Sequence, residues 1–121
     1  MNRAVVLFGH GSRDPAWRAP MDAVAQRIRH REPKVLVACA FLELQAPDLS
    51  TAVGSLVDQG AMQVHVLPMF LGVGKHVRED LPALLDSVRA QHPGISIEAS
   101  RSVGEREPVL DLLAELALRH P

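Results

Sequence analysis

The sequence predicts an α/β domain of the doubly wound, flavodoxin-like type, with four parallel strands and helices on both faces. Three short apolar runs, residues 4–8, 35–42 and 64–70, are rich in Val, Leu and Phe and do not alternate with polar residues. Strands of a parallel sheet have this pattern because helices bury both of their faces. Segments with helical spacing separate the runs, so strand and helix alternate along the chain.

The first two helices are predicted from apolar residues that recur at helical spacing after the first and second strands. These residues are Met21, Val24 and Ile28 in the first segment and Leu49, Val53, Leu56 and Val57 in the second. Asp14-Pro15 marks the first helix start, because Asp can cap and Pro can occupy the first helical position. Pro47-Asp48 places a proline and an acidic residue in the first turn of the second helix.

The second half of the chain repeats this order. A Gly72-Val73-Gly74 loop leads into a third helix that stops at residues 92–94, with Pro82 expected in an early turn. A fourth strand is predicted over 95–99 and a last helix over 108–119. The apolar positions of these two helices are Leu81, Leu84, Leu85 and Val88, then Val109, Leu112, Leu113, Leu116 and Ala117.

Length and composition favour one domain spanning residues 1–121. The 121 residues are 47% hydrophobic, which is enough for one continuous core. Lysine and arginine number 13 against 14 acidic residues, so nucleic acid and anionic lipid are disfavoured as partners. A single cysteine, Cys39 in an apolar run, excludes a disulfide framework within one chain and fits a reducing cytoplasm. The short apolar stretch after Arg3 predicts neither a signal peptide nor a membrane span.

Candidate site residues follow the strands. In doubly wound sheets the ligand site lies beyond the carboxyl ends of the strands. The first three strands are followed by His10, by Glu43 and by a loop ending at His76, so two imidazoles and one carboxylate are expected at one edge. This ligand set suits borderline divalent ions such as Co²⁺, Fe²⁺, Ni²⁺ or Zn²⁺. Imidazole also titrates near neutrality and could exchange a metal for a proton.

Three motifs resemble those of the sirohydrochlorin cobaltochelatase and ferrochelatase family of small type II chelatases. They are GHGSRDP after the first strand, AFLELQAPDL around the second and PMFLGVGKHVREDLP after the third. The resemblance covers nearly the whole chain. It implies a chelatase-like parallel sheet. It also implies that the metal is bound by His10, His76 and Glu43, the acidic residue after the second strand, and that these residues take part in catalysis.

The activity implied by the resemblance is ATP-independent insertion of a divalent metal into sirohydrochlorin, in cobalamin or siroheme synthesis. Co²⁺ is the first expectation, with Fe²⁺ or Ni²⁺ as alternatives; the ion is a substrate, and no permanently bound cofactor is expected. Long members carry two such domains around a cleft, so the resemblance implies that two copies of this chain pair as a homodimer. The cysteine cluster of iron–sulphur members is absent from the sequence.

Basic side chains near the predicted edge could hold the carboxylates of the tetrapyrrole, since guanidinium forks match carboxylate geometry. Two loop residues of the motifs, one serine and one glycine, are expected to contact the same substrate. The predicted substrate-binding residues are Ser12, Arg13, Gly74, Lys75, Arg78 and Arg101.

Two other functions remain open from the sequence. A metal or tetrapyrrole carrier could keep both histidines without turnover. A histidine phosphatase is suggested by GHGSR, but Phe8-Gly9 precede His10 where that class needs a phosphate-binding arginine. A phosphate loop at Gly74-Lys75 is disfavoured, because His76 stands where Ser or Thr is needed.

Overall fold

The computed structural model describes residues 2–119, which form a four-stranded parallel sheet flanked by helices. The strands are β1 (Arg3–Gly9), β2 (Leu36–Phe41), β3 (Gln63–Pro68) and β4 (Ser96–Ala99). The helices are α1 (Ala19–Arg31), α2 (Leu49–Asp58), α3 (Lys75–Gln91) and α4 (Glu107–Leu118), with short 3₁₀ turns at Pro15–Arg18 and Val103–Glu105. The spatial order β2-β1-β3-β4 is that of the doubly wound, flavodoxin-like fold, as predicted.

The helix starts differ in detail from the sequence prediction. Asp14 caps the 3₁₀ turn, accepting a hydrogen bond from the Ala16 amide at 2.9 Å, and α1 begins four residues after Pro15, at Ala19. Asp48 is the N-cap of α2 rather than a member of its first turn, because its carboxylate accepts from the Thr51 amide. Pro82 was expected in an early turn; it lies inside α3, since that helix already begins at Lys75.

The core has two parts, one on each side of the sheet. On one side all four strands pack against α2 and α3; on the other, β1 and β2 pack against α1. The first part centres on Val6, Phe8, Leu49, Val53, Leu56, Val66, Val88 and Ile97, and the second on Leu7, Met21, Ala25, Cys39 and Phe41. Helices therefore lie on both faces of the sheet, as the sequence predicts.

Coverage is complete on the α2 and α3 side only. In β3, Val64, Val66 and Pro68 are buried, whereas His65 on the other face is exposed. The prediction that this strand is buried on both faces is wrong, because α1 packs mainly over β2 and β1; on this face of β3, Leu67 is partly buried against the α1 side and His65 is left uncovered.

The apolar residues predicted for the last helix do not enter the core. No residue of α4 is buried, and the helix packs mainly on the preceding turn, Val103–Glu105. Periodicity identified the helix correctly but does not say what covers its apolar side. None of the helices described within residues 2–119 is long and apolar enough to cross a membrane.

Candidate functional site

The site lies at the carboxyl edge of the sheet. His10 directly follows β1, Glu43 lies two residues beyond β2, and Gly74 is the N-cap of α3 in the connection after β3. Because β1 stands between β2 and β3, the connection after β1 lies between the other two. Strand order thus brings together three segments that are distant in the chain.

The segments after β1 and β2 are bound to each other through the backbone. The Leu42 amide donates to the Gly9 carbonyl at 2.9 Å and the Glu43 amide to the His10 carbonyl at 3.0 Å. Gly11 has φ +99°, and a Cβ there would lie 1.8 Å from the Glu43 carbonyl oxygen. Only glycine allows this approach, so the second glycine of the GHG motif fixes the position of Glu43 beside His10.

His10 and Glu43 form a direct contact. Nε2 of His10 lies 2.8 Å from Oε1 of Glu43, and the two side chains are 49% and 55% exposed. A carboxylate at one ring nitrogen orients the imidazole and leaves the other nitrogen to face a ligand. The pair is therefore open to solvent.

His76 forms a second imidazole–carboxylate pair. Its Nε2 lies 3.0 Å from Oδ2 of Asp80, one turn further along α3. The histidine side chain is 88% exposed. Asp80 was not singled out from the sequence, although its i, i+4 spacing from His76 on a predicted helix was the available signal.

The expected three-residue metal cluster is not assembled in one chain. Residues 2–119 contain no group of three or more His, Cys, Asp or Glu side chains that could hold a metal ion. Glu43 contacts His10, and Asp80 is the carboxylate beside His76. The chain therefore presents two separate imidazole–carboxylate pairs along the carboxyl edge.

The remaining loop residues have structural partners. The Ser12 amide donates to Oε1 of Gln45 at 2.9 Å, and the Ser12 hydroxyl accepts from the Asp14 amide at 3.1 Å. Gln45, also missed from the sequence, adds a second connection between the loops after β1 and β2. The Gly74 carbonyl accepts from the Arg78 amide and begins the hydrogen bonding of α3.

The predicted cations are exposed and weakly held. Lys75 lies 4.0 Å from Glu79, and Arg101 lies 3.9 Å from Glu105. Arg13 and Arg78 form no ion pair with any residue from 2 to 119. Exposed pairs of this kind contribute little to stability, so Lys75 and Arg101 can exchange their partners for other carboxylates.

Arg78 and Arg101 share a cavity of about 290 Å³ between α3 and the segment after β4, lined also by Phe70, Val77 and Leu81. In a helix, residues two apart point in directions about 200° apart, so Arg78 faces away from His76. The structure thus separates this cavity from the His76–Asp80 pair.

Packing beneath the site supports the loop after β1. A Cβ on Gly9 would lie 2.6 Å from Sδ of Met21, so the end of β1 touches α1. Trp17 is partly exposed and lies edge-on to Phe41, with ring centroids 6.3 Å apart. Met21, Trp17 and Phe41 therefore act in packing.

Residues 4–119 match the protein-family model described as CbiX. Among curated proteins the chain is 29% identical over 111 residues to the sirohydrochlorin cobaltochelatase of Priestia megaterium, covering 92% of this chain and 36% of that protein. It is 28% identical over 110 residues to the sirohydrochlorin ferrochelatase of Bacillus subtilis, covering 91% and 42%. The chain thus spans about two fifths of the length of these relatives.

Two solved structures share the fold. The CbiX protein from Marinobacter aquaeolei VT8 superposes with a TM-score of 0.81 at 31% identity, covering 97% of this chain and 94% of that one. The sirohydrochlorin chelatase SirB from Bacillus subtilis subspecies spizizenii, solved with cobalt, superposes with a TM-score of 0.80 at 26% identity. That match covers 98% of this chain and 50% of SirB.

Proposed function

This chain belongs to the CbiX family, and on that premise we propose that it inserts a divalent metal ion into sirohydrochlorin without ATP. The observation that carries the proposal is the His10–Glu43 pair, with 2.8 Å between Nε2 and Oε1, at the solvent-open carboxyl edge of the sheet. An oriented imidazole beside a carboxylate can bind a hydrated borderline metal and accept protons. Those are the two abilities that metal insertion requires.

Co²⁺ is the metal we propose first, with Fe²⁺ and Ni²⁺ as alternatives. The relatives named above are a cobaltochelatase and a ferrochelatase. Imidazole and carboxylate ligands accept all three ions and do not select strongly among them. The family likeness therefore sets the order of preference, and the ion remains a substrate of the reaction.

The proposed mechanism uses the two imidazole–carboxylate pairs together. His10 and His76 take up the hydrated ion through the ring nitrogens that Glu43 and Asp80 leave available. Macrocycle nitrogens then replace the remaining waters and protein ligands. Two pyrrole N–H protons must leave as the doubly charged ion enters, and Glu43 and the imidazoles freed from the metal accept them.

Substrate binding is assigned to the weakly paired cations and the loops around them. Arg13, Lys75, Arg78 and Arg101 would bind the peripheral carboxylates of the tetrapyrrole. Ser12 and Gly74 belong to the loops against which the macrocycle would lie. Contacts remote from the reacting nitrogens could hold the ring in a bent conformation and so lower the barrier to insertion.

Two copies of the chain are proposed to pair and form the cleft. SirB, which matches this chain over only half of its own length, has room for a second unit of this size. A single copy presents its two pairs on an open edge without a three-residue metal cluster among residues 2–119. A second copy facing that edge would supply further ligands and exclude water. We propose the cytoplasm as the compartment of the reaction; the free, buried thiol of Cys39 is compatible with a reducing compartment.

The test is anaerobic incubation of catalytic amounts of protein with sirohydrochlorin and Co²⁺, Fe²⁺ or Ni²⁺, following the absorbance of the macrocycle. We expect the wild type to complete many turnovers. The metallation rate should fall strongly in His10→Ala and His76→Ala. It should be unchanged in His30→Ala, which removes an exposed histidine from α1. Metallation that stops after one equivalent would instead identify a carrier. Equal rates in the wild type and both site variants would remove the site assignment.

A further inference from the structure

Leu44 directly follows Glu43 and has a strained backbone. Its φ is +67°, the only positive value of a non-glycine residue within residues 2–119. The Gln45 amide donates to the Glu43 carbonyl at 2.8 Å, so Leu44 is the central residue of a classic γ-turn. A residue with a Cβ is strained in this turn, whereas glycine would adopt it readily. Backbone strain of this kind clusters at functional sites.

The residues on both sides of Leu44 are fixed by the loop after β1. The Glu43 amide donates to the His10 carbonyl at 3.0 Å. Oε1 of Gln45 accepts from the Ser12 amide at 2.9 Å. The γ-turn is therefore imposed by contacts outside it, which is how folded proteins maintain a strained backbone. Leu44 itself is 52% exposed and does not pack against either part of the core.

Leu71 is a second exposed leucine with a fixed backbone at the same edge. It lies three residues beyond β3 and is 65% exposed. A Cβ on Gly104 would lie 1.6 Å from the Leu71 carbonyl oxygen, and the Gly104 amide donates to the Phe70 carbonyl at 3.0 Å. The segment after β4 thus packs directly on the backbone of Leu71 and holds it in place, while the residue remains largely in solvent.

Large exposed apolar residues outside α4 are concentrated at the carboxyl edge of the sheet. Within residues 2–119 they are Trp17, Leu44, Met62 and Leu71. Only Met62 lies at the opposite edge, directly before β3. Single exposed leucines are ordinary on protein surfaces, so exposure alone does not identify a site. The shared edge, together with the strain at Leu44, indicates a binding surface with an apolar part.

We infer that Leu44 and Leu71 contact the conjugated ring of the tetrapyrrole and position it over the His10–Glu43 pair. The inference rests on the chelatase function proposed above and names residues that hold its substrate. β2 and β3 flank β1 and lie about 10 Å apart, so the two leucines stand on either side of His10 along the edge. A tetrapyrrole ring has a comparable width, apolar faces and carboxylates only at its periphery. The ring therefore lies against the leucines, and the exposed cations of the edge bind the carboxylates.

Leu44→Gly tests the contact, because it removes the side chain and relieves the strain at the same time. We expect the Kd for metal-free sirohydrochlorin, measured by the fluorescence of the macrocycle, to rise about 5–10-fold, since the ring no longer covers an exposed leucine. The midpoint of thermal unfolding should rise by roughly 2–5 °C, because glycine fits the γ-turn. If Leu44 had only a structural role, weaker binding would accompany lower stability. A Leu44→Gly protein that binds sirohydrochlorin as the wild type does overturns the inference.

Three further variants complete the binding experiment. Met62→Gly is the matched control, because Met62 is 54% exposed but lies at the opposite edge; its Kd should equal that of the wild type. Leu44→Met keeps an apolar side chain of similar volume and should bind within about two-fold of the wild type. Leu71→Ala should weaken binding several-fold. An unchanged Kd in Leu71→Ala, or a Leu44→Met protein as weak as Leu44→Gly, contradicts a ring held between two leucines.

Metallation kinetics separate contact with the ring from an effect on Glu43. In Leu44→Gly the KM for sirohydrochlorin should rise and kcat should stay within about two-fold of the wild type, because an apolar contact with the ring is the same before and during insertion. A lower kcat at unchanged KM would show that Leu44 acts through Glu43 and would overturn the inference. So would a changed mass in light scattering, since Leu44 would then contact a second copy.

The two proposals fail in different ways. A wild-type protein that binds sirohydrochlorin but does not metallate it contradicts the chelatase function alone. A wild-type protein that metallates, with both leucine variants binding normally, contradicts the inference alone.

Discussion

Gly11 and Glu43 approach so closely that a Cβ on Gly11 would lie 1.8 Å from the Glu43 carbonyl oxygen. The contact joins the loops after β1 and β2, and it is the reason why the carboxylate of Glu43 reaches the imidazole of His10. Gly11 also has φ +99°, where residues with a Cβ are strained. Gly11 therefore both adopts the positive φ of the loop after β1 and allows Glu43 to lie beside His10.

Gly11→Ala is expected to lower the free energy of unfolding by about 2 kcal/mol or more. Alanine is strained at this positive φ, and its Cβ would clash with the Glu43 carbonyl, so the two costs add. Metallation activity should fall with it, since Glu43 must move away from His10. Urea denaturation measures the first effect. Gly54→Ala is the control: apart from its chain neighbours and the backbone of α2 itself, nothing lies within 4 Å of a Cβ there, and alanine in α2 should raise stability by about 0.5–1 kcal/mol. A Gly11→Ala protein of wild-type stability would contradict the close contact.

Glu43→Gln and Asp80→Asn keep a hydrogen-bonding group beside each imidazole but remove its charge. We expect each to reduce the metallation rate about 10–100-fold, the usual effect of changing the group that orients a metal-binding histidine. Steady-state rates against metal concentration measure it. Glu32→Gln, an exposed acidic residue at the end of α1, is the control. If the two site variants behave like Glu32→Gln, the carboxylates have no part in the reaction.

Asp48 predicts a pH dependence of stability. Its carboxylate accepts a hydrogen bond from the Thr51 amide at 2.8 Å, which lowers the pKa of Asp48 below its usual value. The depressed pKa means that the stabilisation is fully present above the usual aspartate pKa of about 3.9 and is lost as pH falls through the folded-state value. Asp48→Ala should thus cost about 1 kcal/mol at pH 7 and progressively less at acid pH.

Thermal unfolding of the wild type and Asp48→Ala at pH 7 and near pH 3 checks this. Asp58→Ala, at the other end of α2, removes a carboxylate that caps nothing and should not destabilise the helix. A gap between wild type and Asp48→Ala that stays constant down to pH 3 would show that the charge of Asp48 is irrelevant.

Cys39 should be unreactive in the native protein. Burial raises the pKa of its thiol, and the nearby Asp22 carboxylate, 3.8 Å from Sγ, raises it further. Since the thiolate is the reactive form, an aromatic disulfide reagent at pH 8 should modify Cys39 only as the protein unfolds. A cysteine introduced at Ser55 on α2 should react at once. Rapid modification of the native wild type would show that α1 does not shield Cys39 from solvent.

Much of this protein follows from its sequence alone. Apolar runs separated by segments with helical spacing determine the strands, the helices and the parallel sheet. The reason is that strands covered on both faces consist of consecutive apolar residues. The strand-end rule also assigns His10, Glu43 and His76 to one edge from the order of strands and loops along the chain.

Only the tertiary structure decided how those residues are paired and what remains uncovered. The approach of Gly11 to Glu43 depends on how two loops from neighbouring strands meet, and it is this contact that assigns Glu43 to His10. Asp80 became the partner of His76 once the start of α3 was fixed at Lys75. The leucines of α4 have the periodicity of a core helix yet lie exposed, because periodicity records that a face will be covered but not by which surface.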